Sequence, residues 1–196
     1  MHLVFDIFQG IGVAGAVGIR PFLPALAVGA LAAGDIQIDF AHTDFSFLQS
    51  APFLLGMAVG AALLALIEWR FGAEQTEPAP VALIVALASL ALGALLFAGS
   101  LCRGGYAIWP GLVGGVVCAA VGVLATRPLL TRVRARLDPE TRGALPLFVE
   151  AAAVIAAALS VLLPPVGVIV LALLLWLLIA GRGSGEQKYA GLRILR

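Results

Sequence analysis

The sequence predicts an all-α polytopic membrane protein, a six-span helix bundle whose first helix is broken. Three observations predict it. Of 196 residues, 62% are hydrophobic, and the mean hydropathy is +1.08, well above the roughly half-apolar usage of water-soluble domains. The apolar residues fall in runs of about 20, the length that crosses roughly 30 Å of hydrocarbon. The basic residues gather in alternate connections, as in membrane proteins that keep Lys and Arg on the cytoplasmic side.

The expected spans are residues 10–33, 52–69, 80–100, 107–126, 144–163 and 165–181, followed by a short cytoplasmic tail, 182–196. Ahead of the first, His2, Asp6 and Gln9 share one helical face at i, i+4, i+7, which predicts an amphipathic turn in the inner interface. This opening lacks the Lys or Arg of a signal-peptide n-region and is read as retained. The first span carries Gly10, Gly12, Gly15 and Gly18 and then Arg20-Pro21-Phe22-Leu23-Pro24. Pro21 suits the first position of a new helix, and Pro24 falls where a helix leaves its N–H groups unbonded anyway. A second half-helix starting at Pro21 would leave the backbone N–H groups of Phe22 and Leu23 free at a positive dipole end, beside the Arg20 guanidinium. If the span begins near Gly10, Arg20 lies about 15 Å along it, at the bilayer midplane. If it begins at Met1, Arg20 reaches the outer headgroups and snorkels.

The connection from Gly34 to Ser50 holds Asp35, Asp39, His42 and Asp44 without Lys or Arg, which places it outside. Its start, Asp35 to Phe40, alternates polar and apolar residues like a short strand or interfacial ribbon. The aspartates are too loosely spaced for a calcium loop. The second span closes on Glu68, Trp69 and Arg70, where Glu68 reads either as a solvated helix end or as a partner for Arg20. The fifth carries Glu150 among Leu147, Phe148, Val149 and Ala151, where a carboxylate must pair, protonate or face water. Arg70, the run Arg127 to Arg142, and the tail hold ten of the eleven basic residues other than Arg20, so both termini are expected in the cytoplasm. Arg103 is the exception.

Small residues recur at four-residue spacing at Gly10, Ala14 and Gly18, at Gly56 and Gly60, at Gly111 and Gly115, and at Gly114, Cys118 and Gly122, which favours close helix packing in a bundle or a homodimer. Three spans on each side of residue 101 fit an inverted repeat, with Glu68 and Glu150 in the second span of each half. Cys102 and Cys118 have no metal spacing.

The string Gly15 to Pro24, Glu68 closing the second span, and the ending Lys188-Tyr189-Ala190-Gly191-Leu192-Arg193-Ile194-Leu195-Arg196 resemble a bacterial integral-membrane family, domain of unknown function 4126. The resemblance implies a polytopic bacterial inner-membrane protein and no particular activity. Family members carry a longer, more acidic segment after the second span; here only Gly72 to Ala79 stand there.

With two histidines, no HExxH and no metal-ligand pairs, the chain is read as a non-enzyme without cofactor or metal. A net charge of +1 offers no field for nucleic acid. The leading expectation is a transporter, permease or lipid flippase for a small anionic solute or an anionic lipid headgroup, bound by Arg20 with the Phe22 and Leu23 amides, with Glu68 and Glu150 as partner and coupling groups. The alternative is a membrane scaffold or assembly factor in which Arg20 and Glu150 form a structural pair; an oligomeric channel comes third.

Overall fold

The computed structural model describes residues 2–71 and 79–190. The segment 72–78 and the last six residues of the Lys188 to Arg196 string, to which the family resemblance partly refers, lie outside the described residues. Within the described residues the chain is an all-α bundle: α1 (His2–Ile19), α2 (Phe22–Ala33), a 3-10 turn (Ser46–Gln49), α3 (Ala51–Phe71), α4 (Ala79–Arg103), α5 (Ile108–Arg134), α6 (Pro139–Leu162) and α7 (Pro164–Ala190). Among these, α3 to α7 are long and apolar enough to cross a membrane, whereas α1 and α2 are shorter apolar helices. The expected first span, 10–33, is therefore not one span. It is the second half of α1, a break, and α2.

The break has a plain cause. The Arg20 amide makes the last α1 bond, to the Ala16 carbonyl at 3.3 Å, and Pro21 has no N–H with which to continue and disfavours helical backbone at Arg20. Pro21 becomes the residue capping α2, so α2 starts at Phe22, one residue later than expected, and Pro24 still falls in the first turn.

Contacts fix the direction of each helix. Asp6 near the start of α1 meets Arg103 at the end of α4, and Gln37, just after α2, accepts a hydrogen bond from Arg103 through its carbonyl oxygen. Both helices therefore have their open ends at the Arg103 end of the bundle, and the chain turns back inside it at Arg20-Pro21. Helix α7 starts beside the same end, with Gly167 against Phe8 and Gly12, and runs to Gly181, whose carbonyl binds Arg132 at 2.8 Å. The start of α1 and the far part of α7 thus lie at opposite ends of the bundle, which corrects the expectation that both termini share a face. The amphipathic-turn expectation is corrected too: Asp6 and Gln9 are buried inside the bundle, at the end away from Arg70, Arg127, Arg132 and Arg134. A pair of helices that enter and leave at one end also leaves no division into two three-span halves of opposite orientation.

Helix α1 is the axis, packed among α4, α5, α6 and α7, with Val13, Ala14, Ala16 and Val17 fully buried. Its glycines permit this. A Cβ at Gly18 would strike the Ala119 carbonyl of α5, and one at Gly122 would strike the Gly15 carbonyl of α1, so these helices touch backbone to backbone. At Gly56 of α3 the space is open, so that member of the small-residue pattern packs on nothing in this chain.

The polar connection after α2 is a folded cap, not a strand or ribbon. Asp35 and Gln37 take positive φ angles of 53° and 61°, and Ile38, Phe40 and Leu48 are buried beneath it. Phe40 and Leu48 reach Gly99 of α4. Around the bundle, Leu55, Val59, Leu63, Leu83, Ile84, Val113, Val117, Ile155, Ile169 and Ile179 face outward, a belt suited to lipid tails. Trp69 and Trp109, 83% and 69% exposed, mark its two ends as interfacial aromatics do.

Candidate functional site

The break in the first apolar stretch assembles the residues singled out by sequence. Arg20 leaves the end of α1 only 7% exposed. Its Nη1 donates to Glu68 Oε1 of α3 at 2.7 Å, and its Nε lies 3.4 Å from Glu150 Oε2 of α6. The two carboxylate side chains are 11% and 16% exposed. Glu150 also receives the Leu23 backbone N–H in the first turn of α2. Leu23 therefore acts through its amide, as its position after the proline suggests. Phe22 contributes differently, with its ring packed on Gly60 of α3, where a Cβ would collide with it.

At the start of the second half-helix, where the sequence suggested room for an anion, the structure places the Glu150 carboxylate of the chain itself, beside Arg20 and the Leu23 amide. Helix α1 begins at His2, yet Arg20 does not snorkel to headgroups; it is enclosed. Its depth follows from its neighbours: Ser89 and Val85 of α4 share its cavity, 14 and 18 residues before Arg103, or about 21–27 Å from that end. Glu150 stands near the middle of α6.

A cavity of about 280 Å³ reaches this cluster between the end of α1 and helices α3, α4 and α5. Arg20 and Glu68 line it at depth; Ser89, Thr126 and Thr131 supply hydroxyls; Arg127 and Arg134 stand toward the basic end. Glu150 is not among its lining residues. Arg127 is exposed, and its Nη2 donates to the Ala82 carbonyl at 2.5 Å, tying α5 to α4. Ser89 and Thr126 donate to carbonyls one turn back in their own helices, at 3.0 and 2.7 Å, leaving their oxygens as acceptors in the cavity wall. Helix α3 packs chiefly on α2, with only 6% of its apolar window buried, so the cavity's α3 wall has lipid-facing surface behind it.

Sequence reasoning missed a second polar cluster at the opposite end of α1. Asp6, with a side chain 4% exposed, pairs with Arg103 Nη2; Gln9, 1% exposed, holds the Val161 carbonyl at 3.3 Å and lies 3.4 Å from the same guanidinium nitrogen. These residues line a further cavity of about 290 Å³ with Phe5, Gln37 and Pro164. Two signals pointed to it: Arg103 was the one basic residue on the wrong side, and Asp6 and Gln9 share a face of an otherwise apolar helix. Between the two cavities, α1 from Val13 to Val17 is sealed.

In the cap, Asp39 Oδ1 accepts the Ala41 amide at 2.7 Å and the Gln49 side-chain amide at 3.2 Å. The Ala41 bond first, and then the Gln49 bond, hold its carboxyl below the usual aspartate value. No family model, no curated protein and no solved structure matches the chain.

Proposed function

We propose that this multi-pass membrane protein is a transporter or flippase for an anionic group, a lipid headgroup or a small solute, bound at Arg20 from the basic end of the bundle. The observation that carries the reading is the cavity, which leads past Arg127 and Arg134 to a buried guanidinium. A buried cation at the bottom of a passage with a basic mouth draws an anion in and binds it where water is scarce. Between this cavity and the one at the Arg103 end, α1 is fully buried at Val13, Ala14, Ala16 and Val17, which supports the reading that the two do not join. With Arg127 and Arg134 at the mouth and Arg132 at the same end of the bundle, the positive-inside rule favours a mouth facing the cytoplasm and a cap facing outward. A bacterial inner membrane, membership of the family resembled above, and the absence of catalysis, cofactor and nucleic-acid partner belong to the same proposal.

The test is reconstitution into phosphatidylcholine vesicles with a trace of fluorescent phosphatidylglycerol, read by chemical quenching from outside, alongside uptake of labelled orthophosphate. Wild-type protein is expected to move one of the two faster than empty vesicles do. Ala86→Trp, which fills the cavity without touching the charges, is expected to stop it. Movement of neither, by protein shown to be folded and inserted, overturns the proposal.

One observation favours a second reading. Arg20 already holds two carboxylates, so the cluster also serves as a staple joining the break to α3 and α6 in a scaffold or assembly factor. In that case Ala86→Trp leaves the protein's cellular role intact.

A further inference from the structure

The two carboxylates on Arg20 are not equivalent. Glu150 sits at the Nε edge, also accepts the Leu23 N–H, and lies off the cavity. Glu68 sits on a terminal nitrogen, and its side chain forms part of the cavity wall. An anion arriving through the cavity meets Glu68 first and competes with it for Nη1. Glu150, 3.4 Å from Nε, lies away from that path.

Charge then sets a condition. One guanidinium with two ionised carboxylates already carries a net charge of −1, and a further anion would bring it to −2 in a poorly hydrated place. The groups facing Glu68 are few. The break contributes Arg20, α6 contributes Glu150, and α4 contributes only Ala82, Val85, Ala86 and Ser89, none of which titrates. Helix α5 contributes Arg127 and Arg134, the first exposed and tied to the Ala82 carbonyl, the second about 10 Å further toward the basic end. On its own helix Glu68 has Arg70, two residues on and exposed. These cations stand at the mouth, where they attract an anion, and Arg20 remains the cation at depth.

We propose that Glu68 is the exchangeable counter-ion of Arg20: a monoanionic phosphodiester takes its place on Nη1, and the displaced Glu68 carboxylate takes up one proton from water in the cavity. Anion and proton are then bound together, and Glu68 returns its proton when the anion leaves. The inference rests on the anion-binding reading above. The phosphodiester class follows from the site's position. Glu68 stands in the last turn of α3, followed by exposed Trp69 and Arg70, residue types suited to a membrane interface, where lipid phosphodiesters are the monoanions at hand; much of the cavity wall is apolar.

The test is calorimetric titration of the full chain in detergent with dibutyl phosphate, whose own charge does not change near neutrality, in buffers of different ionisation enthalpy. Wild-type protein is expected to take up close to one proton per anion bound, and Kd to rise with pH, about tenfold per unit where one proton is taken up with the anion. Glu68→Gln is expected to bind without proton uptake and with a flat pH profile. Binding to wild type with no proton uptake and a flat profile overturns the inference and leaves the anion site standing. Uptake undiminished in Glu68→Gln also overturns it, by placing the proton elsewhere. No binding of dibutyl phosphate at any pH from about 6 to 8 overturns the anion site itself, and the inference with it. The wild-type profile decides even if the variant fails to fold.

Discussion

Replacing Arg20 with Met removes the one cation at the break and leaves Glu68 and Glu150 facing each other inside the bundle. Stripping one partner from a buried ion pair costs about 3–5 kcal/mol, because the charge left behind has lost both its water and its counter-ion. The surroundings argue against a discount for solvent. Arg20 is 8% exposed by side chain, and its partners are 11% and 16% exposed. Two stranded carboxylates place the expected loss in the upper half of that range, roughly three decades in the folding equilibrium. The neutral triple variant Arg20→Met, Glu68→Gln, Glu150→Gln is expected to recover most of the loss. No charge remains at the break, and a glutamine at 150 keeps a carbonyl oxygen for the Leu23 N–H. Reversible unfolding in mixed micelles, followed by far-UV circular dichroism, reads both differences. A single variant within about 1 kcal/mol of wild type, or a triple as unstable as the single, would show that the cluster is solvated, and the argument from burial would fail.

Close approach of α1 and α5 gives a second expectation: Gly122→Val forces a side chain against the Gly15 carbonyl and destabilises by about 3 kcal/mol or more in the same assay. Gly56→Ala, which meets nothing within 4 Å, changes stability by less than about 1 kcal/mol and in the favourable direction. The cap responds to acid. Because the Asp39 carboxyl is held below its ordinary value of 3.8, its contribution is full above that pH and fades as pH falls through its lowered value. Protection of the Ala41 amide relative to its intrinsic exchange rate is expected to fall there, while Asp39→Ala lowers it above that range and removes the acid response. Finally, in a background without Cys102 and Cys118, His42→Cys and Arg136→Cys are expected to react with impermeant thiol reagents from opposite sides of the membrane, and labelling of both from one side would refute the helix order.

Much of the site was legible because ionisable residues in apolar runs are scarce and have few possible partners. Arg20, Glu68 and Glu150 were distinguishable from the chain alone, and the proline at 21 told where backbone amides would be left over. The course of α1 was not legible. A glycine- and alanine-rich helix at the bundle axis has much the same hydropathy as the start of a span, and what fixes its direction is Asp6 meeting Arg103 across 97 residues of sequence. The basic residues, counted by loop, gave the right ends for α3 through α7, but they say nothing about a helix whose own polar groups are buried. Ile38 and Phe40 misled for a related reason: alternation predicts a surface ribbon, whereas positive φ at Asp35 and Gln37 folds those side chains under the cap.

The break and the charges answer one problem. A chain that turns inside an apolar layer exposes the carbonyls that end one helix and the amides that begin the next, and no water is there to receive them. Arg20 stands at the negative end of the α1 dipole, and Glu150 binds an amide at the positive end of α2, so each charge suits the helix end beside it. That pair alone would satisfy the turn. Glu68 is surplus to it: it touches neither helix end in the first turn of α2, it faces the cavity, and it makes the cluster negative. A purely structural role therefore accounts for Glu150 but not for Glu68. It follows that Glu150→Gln, which weakens the turn, should cost more stability than Glu68→Gln, which removes the surplus charge, whereas Glu68→Gln should change anion binding and its pH dependence more. Equal stability losses from the two would mean that Glu68 belongs to the turn as well, and the division of labour between the carboxylates would fall.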